Sequence, residues 1–413
     1  MIRHLDRLDD SRYAWIVVAA SFLMLVLGNG ALFLLIVSMK DIAASFDWPR
    51  SVPSFAYSLQ FIGGGVGGIV MGWWLDKAGL GWPALVGAVM IGTGAVLVSM
   101  VANQWELYLV YGLVIGLLGQ ATLYVPLVAN TTRWFVRRRG IAVGLVTSGQ
   151  SVAGALWPPL FEHGLAAWGW RDTYFVYGVA SMAVMVPLSL FLRRSPRPLA
   201  PSGASVEATV PGQGFPSMDP RAVMVLLCVA IVGCCVSMSL PIAHIKSHAT
   251  DVGIAPLEAA SILSALLAAS FVSRALVCGL MIEWIGALKT LFVFSFIQTA
   301  TLGLLPFLEG SASLMITAAI FGLGFGGIAP TYPVIIRETL PEQWTGRCTG
   351  IVVLFGTFGM AIGGWLGGVG FDFTGSYHVP FLAGVAFNAV NLIVVGYLIA
   401  ALRPLPPVVA PAH

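Results

Sequence analysis

Apolar runs of about 20 residues, each long enough to cross a bilayer as a helix, recur twelve times along the 413-residue chain. They lie near 14–38, 53–75, 82–101, 106–131, 140–162 and 172–192, then near 221–244, 257–281, 288–307, 312–336, 347–370 and 378–402. Only 9% of the residues are charged and 58% are hydrophobic, whereas a soluble domain carries about 25% charged residues. The expected solvent is lipid. There every backbone N–H and C=O must bond within the chain, which leaves helices or a closed barrel. Long apolar runs without the alternation of barrel strands predict an all-α membrane protein of twelve transmembrane helices.

The stretch after the sixth run, "RRSPRPLAPSGASVEATVPGQGFPSMDPR", is rich in Pro, Gly and Ser and reads as a flexible linker. The chain then divides into a six-helix half over 1–192, a cytoplasmic linker over 193–220 and a second six-helix half over 221–413. With the N-terminus inside, 16 of the 21 Lys and Arg fall on the cytoplasmic side. Lys40, Arg50, Arg171 and Lys246 fall outside, and Arg274 falls within a span. This positive-inside bias predicts cytoplasmic termini. The net charge of +3 thus reports topology and gives no sign of nucleic-acid binding. The start, "MIRHLDRLDDSRY", is too polar for a signal-peptide core, so the first span is expected to stay as an anchor. The five cysteines lie in or beside apolar runs without metal-site spacing, so neither a metal nor a disulfide framework is predicted.

An internal repeat supports two halves. "GWWLDKAG" follows the second span and "GLMIEWIG" the eighth, with leading glycines Gly72 and Gly279 separated by 207 residues. Pro126 and Pro333 share that offset, and Gly140 and Gly144 recur as Gly346 and Gly350 at an offset of 206. Duplicated halves with a site between them near mid-bilayer describe many secondary transporters. In the second span Gly64, Gly68 and Gly72 share one helix face, where small residues allow close helix approach.

The loop pattern GxxxDKxG, carried by Asp76 and Lys77, resembles the signature of the major facilitator superfamily, and Glu283 stands in its degenerate second copy. The stretch "WFVRRRGIAVGLVTSG", residues 134–149, resembles the fifth-helix signature of the monocarboxylate transporter family. Trp134, Phe135, Arg137, Arg138, Arg139, Ala142, Gly144 and Gly149 fall in its register. The resemblance implies the major facilitator fold, alternating access, and a conformational latch at Asp76, Lys77, Glu283, Arg137 and Arg138. It also implies that Arg274 corresponds to the family's carboxylate-binding arginine in the eighth helix. Two departures remain. Where well-known animal members carry an Asp one turn before that arginine this chain has Ser270, and the position of their first-helix lysine is Phe33. Their proton route therefore does not carry over.

Arg274 also stands out on physical grounds. A guanidinium inside a bilayer costs from about 2.5 to over 10 kcal/mol and is kept where it pairs or lines an aqueous cavity. The helical neighbours at three and four residues are Ser270, Phe271, Val277 and Cys278. Every Asp and Glu reads as belonging to a terminus, a loop or a span end. A bound anion is then the expected counter-ion, and the planar guanidinium suits a carboxylate. Around it the sequence offers Tyr124 and Phe325 first, then Thr122, Gln150, Phe33, Asn29, Tyr332 and Tyr377 as substrate contacts. His244, at the outer end of the seventh span, is the candidate for proton coupling. Lys246 and His248 read as loop residues, and Glu162 and His163 as solvent-facing.

These features predict a secondary active carrier of small monocarboxylates such as lactate or pyruvate, coupled to protons and monomeric, in a bacterial inner membrane. Its partners would be the carboxylate, protons and membrane lipid. No cofactor is called for. An exchanger of the oxalate/formate type is the alternative, although the eleventh span lacks that type's second cation. A non-transporting sensor would need an output domain, and no segment is long enough for one. An enzyme is not expected, because no HExxH motif, intramembrane Asp pair or Ser/His dyad is present.

Overall fold

The computed structural model describes residues 12–78, 81–135, 138–192, 218–341 and 344–402. Among them, eleven helices are long and apolar enough to cross a membrane. One of these, Ile141–Phe191, has 51 residues and would be about 77 Å long if straight, against a hydrocarbon core of about 30 Å. It is not straight. Gly169 adopts φ 77°, ψ 172° and folds the chain back on itself, so that a Cβ on Gly164 would lie 3.0 Å from the Thr173 side chain. The left-handed φ suits only a residue without a Cβ.

The twelve crossings are α1 (Tyr13–Phe46), α2 (Ser51–Met71), α3 (Gly81–Ser99), α4 (Gln104–Thr131), α5 (141–168), α6 (170–191), α7 (Pro220–Asp251), α8 (Pro256–Ile285), α9 (Ala287–Phe307), α10 (Ser311–Thr339), α11 (Thr345–Thr374) and α12 (His378–Ala401). Each span expected from the sequence is present. Their surface carries large apolar side chains, among them Leu276, Phe296, Phe373 and Ile393. Such a surface belongs in lipid.

The face holding residues 12, 192, 220 and 402 is called the terminal face, and the other the opposite face. Among the helices before residue 193, α2 packs on α4, while α1 and α3 pack on the α5–α6 pair. After residue 217, α7 packs on α11 and α12, α8 on α10, and α9 on α10 and α12. Two seams join these series: α2 runs against α11, and α5 against α8.

The close approach of α2 to α4 uses different glycines from those expected. A Cβ on Gly63 would strike the carbonyl oxygen of Gly112, and one on Gly67 would meet that of Leu117 at 2.7 Å. One on Gly64 would find its nearest neighbour only at 3.9 Å. The stripe lies one position earlier than the Gly64–Gly68–Gly72 reading, because the "GGGVGG" cluster offers two small faces and α4 takes the other.

Around α2 the two series are tightly joined toward the opposite face. There Ser58 donates to the carbonyl oxygen of Ala361 at 2.5 Å, and Ser239 to Tyr57 Oη at 3.1 Å. Toward the terminal face, Cβ positions on Gly144, Gly279, Gly346 and Gly350 meet nothing within 4 Å. These four repeat glycines therefore take no part in close helix packing.

Candidate functional site

Arg274 lies in α8, in a short π-helical segment, Ser273–Val277, where the backbone bonds i→i+5. Such segments insert an extra residue into a helix turn and frequently mark functional sites. Ser273 fixes the segment by donating from Oγ to the carbonyl oxygen of Leu323 in α10, at 2.6 Å. Two glycines of α10 bring the helices together: a Cβ on Gly322 or Gly326 would collide with the carbonyl oxygen of Leu266 or Ser270. This contact sets the Arg274 guanidinium over the Phe325 ring, 6.0 Å from its centroid.

The guanidinium has no other described partner. Its Nε is buried without an acceptor, and among the described residues no carboxylate forms an ion pair with it. Tyr124 of α4 and Cys278 lie within electrostatic reach. Tyr124 is exposed and follows a second π-helical segment, Val110–Gln120. Neither π segment is legible as an apolar run, because the hydrophobic period continues through both.

The remaining sequence candidates separate into groups. Gln150 is half-buried on α5. Phe33 is buried where α1, α5 and α8 meet, since a Cβ on Gly154 would touch both Phe33 and Leu267. Asn29 is buried and accepts from Gln120 Nε2 at 3.1 Å while donating to the carbonyl oxygen of Leu25. Gln120, with Oε1 buried and unpartnered, was missed by the sequence reading. Tyr332 is buried with its hydroxyl unpartnered. Thr122 instead donates to the carbonyl oxygens of Leu118 and Gly119 and packs against Gly87 of α3.

Tyr377 and His244 belong to the closure of the opposite face. Tyr377 is buried and accepts from Arg50 Nη1 at 3.2 Å. His244 is fully buried, its Nε2 lies 2.7 Å from the carbonyl oxygen of Gly364, and its ring is 5.3 Å from that of Tyr377. Arg50 stacks on Phe371 at 3.6 Å and donates from Nη2 to Asp251 at 2.8 Å, while Lys40 reaches Asp251 at 2.8 Å. Asp372 accepts from the backbone N–H groups of Arg50 and Ser51, both at 2.8 Å, and so caps α2 from α11.

Three polar residues depart from the sequence reading. α7 continues to Asp251, so Lys246 and His248 are buried helix residues and not loop residues. Glu162 is also buried, 3.0 Å from Lys246, instead of facing solvent. α5 runs to 168, which draws Glu162 inside the span. His163 is exposed as expected.

Of the latch candidates, Glu283 and Arg138 are exposed. Arg137 and the side chains of Asp76 and Lys77 lie outside the described residues. The aromatic pair of the fifth-helix signature has clear roles: Phe135 is fully buried against Trp15, with ring centroids 5.1 Å apart, and Trp134 packs on Tyr13 at 5.4 Å. A separate cavity of about 420 Å³ opens among Arg221, Met224, Val225, Trp344, Arg347 and Cys348 at the terminal-face ends of α7 and α11. None of the site candidates lines it, and a cation inside a span with no carboxylate partner among the described residues is the stronger marker of chemistry.

A family model described as Major Facilitator Superfamily matches residues 18–243 and 225–413. The chain is 28% identical to human monocarboxylate transporter 11 over 393 residues, covering 90% of this chain and 80% of that protein. It is 26% identical to Bos taurus monocarboxylate transporter 13 over 392 residues, covering 92% and 87%. A nucleoside transporter structure superposes with TM-score 0.71 at 14% identity, over 95% of this chain and 100% of that one. A peptide transporter in complex with alafosfalin gives 0.72 at 14%, over 94% and 95%. The solved structures establish the fold, and each relative named here is a transporter. This chain is a multi-pass membrane transporter that belongs to the major facilitator superfamily and is related to its monocarboxylate transporters.

Proposed function

We propose that the protein is a secondary carrier of small monocarboxylates, such as lactate or pyruvate, with Arg274 as the seat of the carboxylate. One observation carries this reading: among the described residues a guanidinium inside a span has no carboxylate partner, and it lies within electrostatic reach of exposed Tyr124. The names of its curated relatives support the same substrate class. Tyr124, Gln150 and Phe325 would meet the rest of the substrate, with Phe33, Tyr332 and the Asn29–Gln120 pair bounding the pocket.

The carrier works by alternating access as a monomer, with 1–192 and 221–413 rocking as halves, and residues 193–217 of the linker between them lie outside the described residues. The terminal face is cytoplasmic in a bacterial inner membrane, so the face closed by Arg50, Lys40 and Asp251 is the outer one. Carboxylate binding neutralises Arg274 and lowers the cost of moving it through a sealed state. Protons are carried with the substrate. His244 Nδ1, buried and unpartnered, accepts one when the outer face opens.

Uptake of labelled lactate into proteoliposomes, with and without an inward proton gradient, tests the reading. Gradient-stimulated uptake supports symport, while absence of flux for every short carboxylate rejects the carrier. Exchange is the second reading, favoured because no described carboxyl or imidazole contacts Arg274. Uptake that needs a carboxylate already trapped inside would select it.

A further inference from the structure

Glu162 of α5 and Lys246 of α7 form a buried ion pair across the two series, 3.0 Å apart, with side chains 11% and 5% exposed. Lys246 also donates to the carbonyl oxygen of Val37 in α1, at 2.7 Å. The pair lies one helical turn deeper than the clasp of Arg50, Lys40 and Asp251. That difference decides its chemistry. A rim charge that loses its partner meets water, whereas one side of a broken buried pair is left uncompensated. A carboxylate in that position relieves the cost by binding a proton.

We propose that Glu162 is a proton-linked latch. It is ionised and paired with Lys246 while the opposite face is closed, and takes one proton on a carboxylate oxygen from that face's solution when α5 and α7 separate. It returns the proton to solution as Lys246 closes on it again. The proposal rests on the alternating-access reading above and adds a group that ties a proton to the motion.

The other charged groups near this level are engaged or exposed. From α1, Lys40 is bound to Asp251 and Asp41 is exposed. On α7, His244 and His248 face the carbonyl oxygens of Gly364 and Leu305. From α8, Glu258 accepts from Ser311. On α6, Arg171 donates to the carbonyl oxygens of Ser99 and Val101, and Asp172 is exposed. His163, beside Glu162, bonds the carbonyl oxygen of Pro159.

The test is the distance between spin labels on Ala44→Cys and Glu309→Cys, exposed positions on the two series. It is measured in nanodiscs over a pH series, with the five native cysteines replaced. The Glu162-dependent part of the rise in open fraction on acidification should reach up to about tenfold per pH unit, the limit for one linked proton, with any proton taken by His244 adding to it. Glu162→Gln should open the face at neutral pH and lower that slope by about one proton. The double variant Glu162→Gln with Lys246→Met should close it again without restoring the slope, and it carries the test alone if the single variant does not fold. His244→Asn should keep the Glu162-dependent slope. An undiminished slope in either Glu162 variant, or its loss in His244→Asn alone, would overturn the latch. No carboxylate is present, so failure of Arg274 to bind one leaves this result standing and is read separately.

Discussion

Arg274 and Phe325 face each other across the contact of α8 with α10, the guanidinium carbon 6.0 Å from the ring centroid. That is the outer limit of a cation–π contact, so the ring orients the cation without neutralising it. The glycines Gly322 and Gly326 hold the two helices at this separation. The arrangement is packed, and among the described residues no carboxylate answers the charge of Arg274.

Tyr124→Phe removes a hydroxyl with no described intramolecular partner, so folding should be unaffected. If that hydroxyl bonds the substrate, its loss costs about 0.5–1.5 kcal/mol. Concentration-dependent uptake should then show apparent KM rising about 2- to 13-fold with kcat nearly unchanged. An unchanged KM would make Tyr124 a wall of the pocket only.

Gly326→Ala should be more damaging than its one methyl group implies. The new Cβ would collide with the carbonyl oxygen of Ser270, forcing α10 away from α8. Overpacking of this kind costs about 1–3 kcal/mol. A lower unfolding temperature together with weakened carboxylate binding is expected, whereas Gly279→Ala, in open space, should be neutral.

Asp372→Ala uncaps α2 at the opposite face. Loss of a helix cap costs about 0.5–2 kcal/mol, which would raise the open fraction about 2- to 30-fold, read by labelling of a cysteine placed on that face. Arg50 itself should contribute no pH dependence near neutrality. Burial works against its charge, but the hydrogen bonds to Asp251 and Tyr377 hold its pKa above the ordinary arginine value. A raised base stabilises at every pH below its unfolded value and loses that contribution only as pH rises through the folded one. That window is strongly alkaline.

Much of this was legible in the chain. Apolar length gave the twelve crossings, and the isolated charge of Arg274 in "AASFVSRALVCG" pointed to the residue proposed here to hold the carboxylate. What failed was depth. Glu162 and Lys246 look like span-end charges because each lies where hydropathy falls, yet α5 and α7 extend past them and bury both. Periodicity cannot report a partner on another helix, so the pair stayed hidden. The same limit misplaced the glycine stripe of α2 and hid the bonds of Thr122 to its own helix.

Calorimetric titration of lactate or pyruvate into purified wild type, Arg274→Lys and Arg274→Gln tests the central claim most directly. Wild type should bind. Arg274→Lys should bind more weakly for want of the two-pronged fork, and Arg274→Gln should show no binding while unfolding at an equal or higher temperature than ligand-free wild type. Undiminished affinity in a folded Arg274→Gln protein would contradict the account.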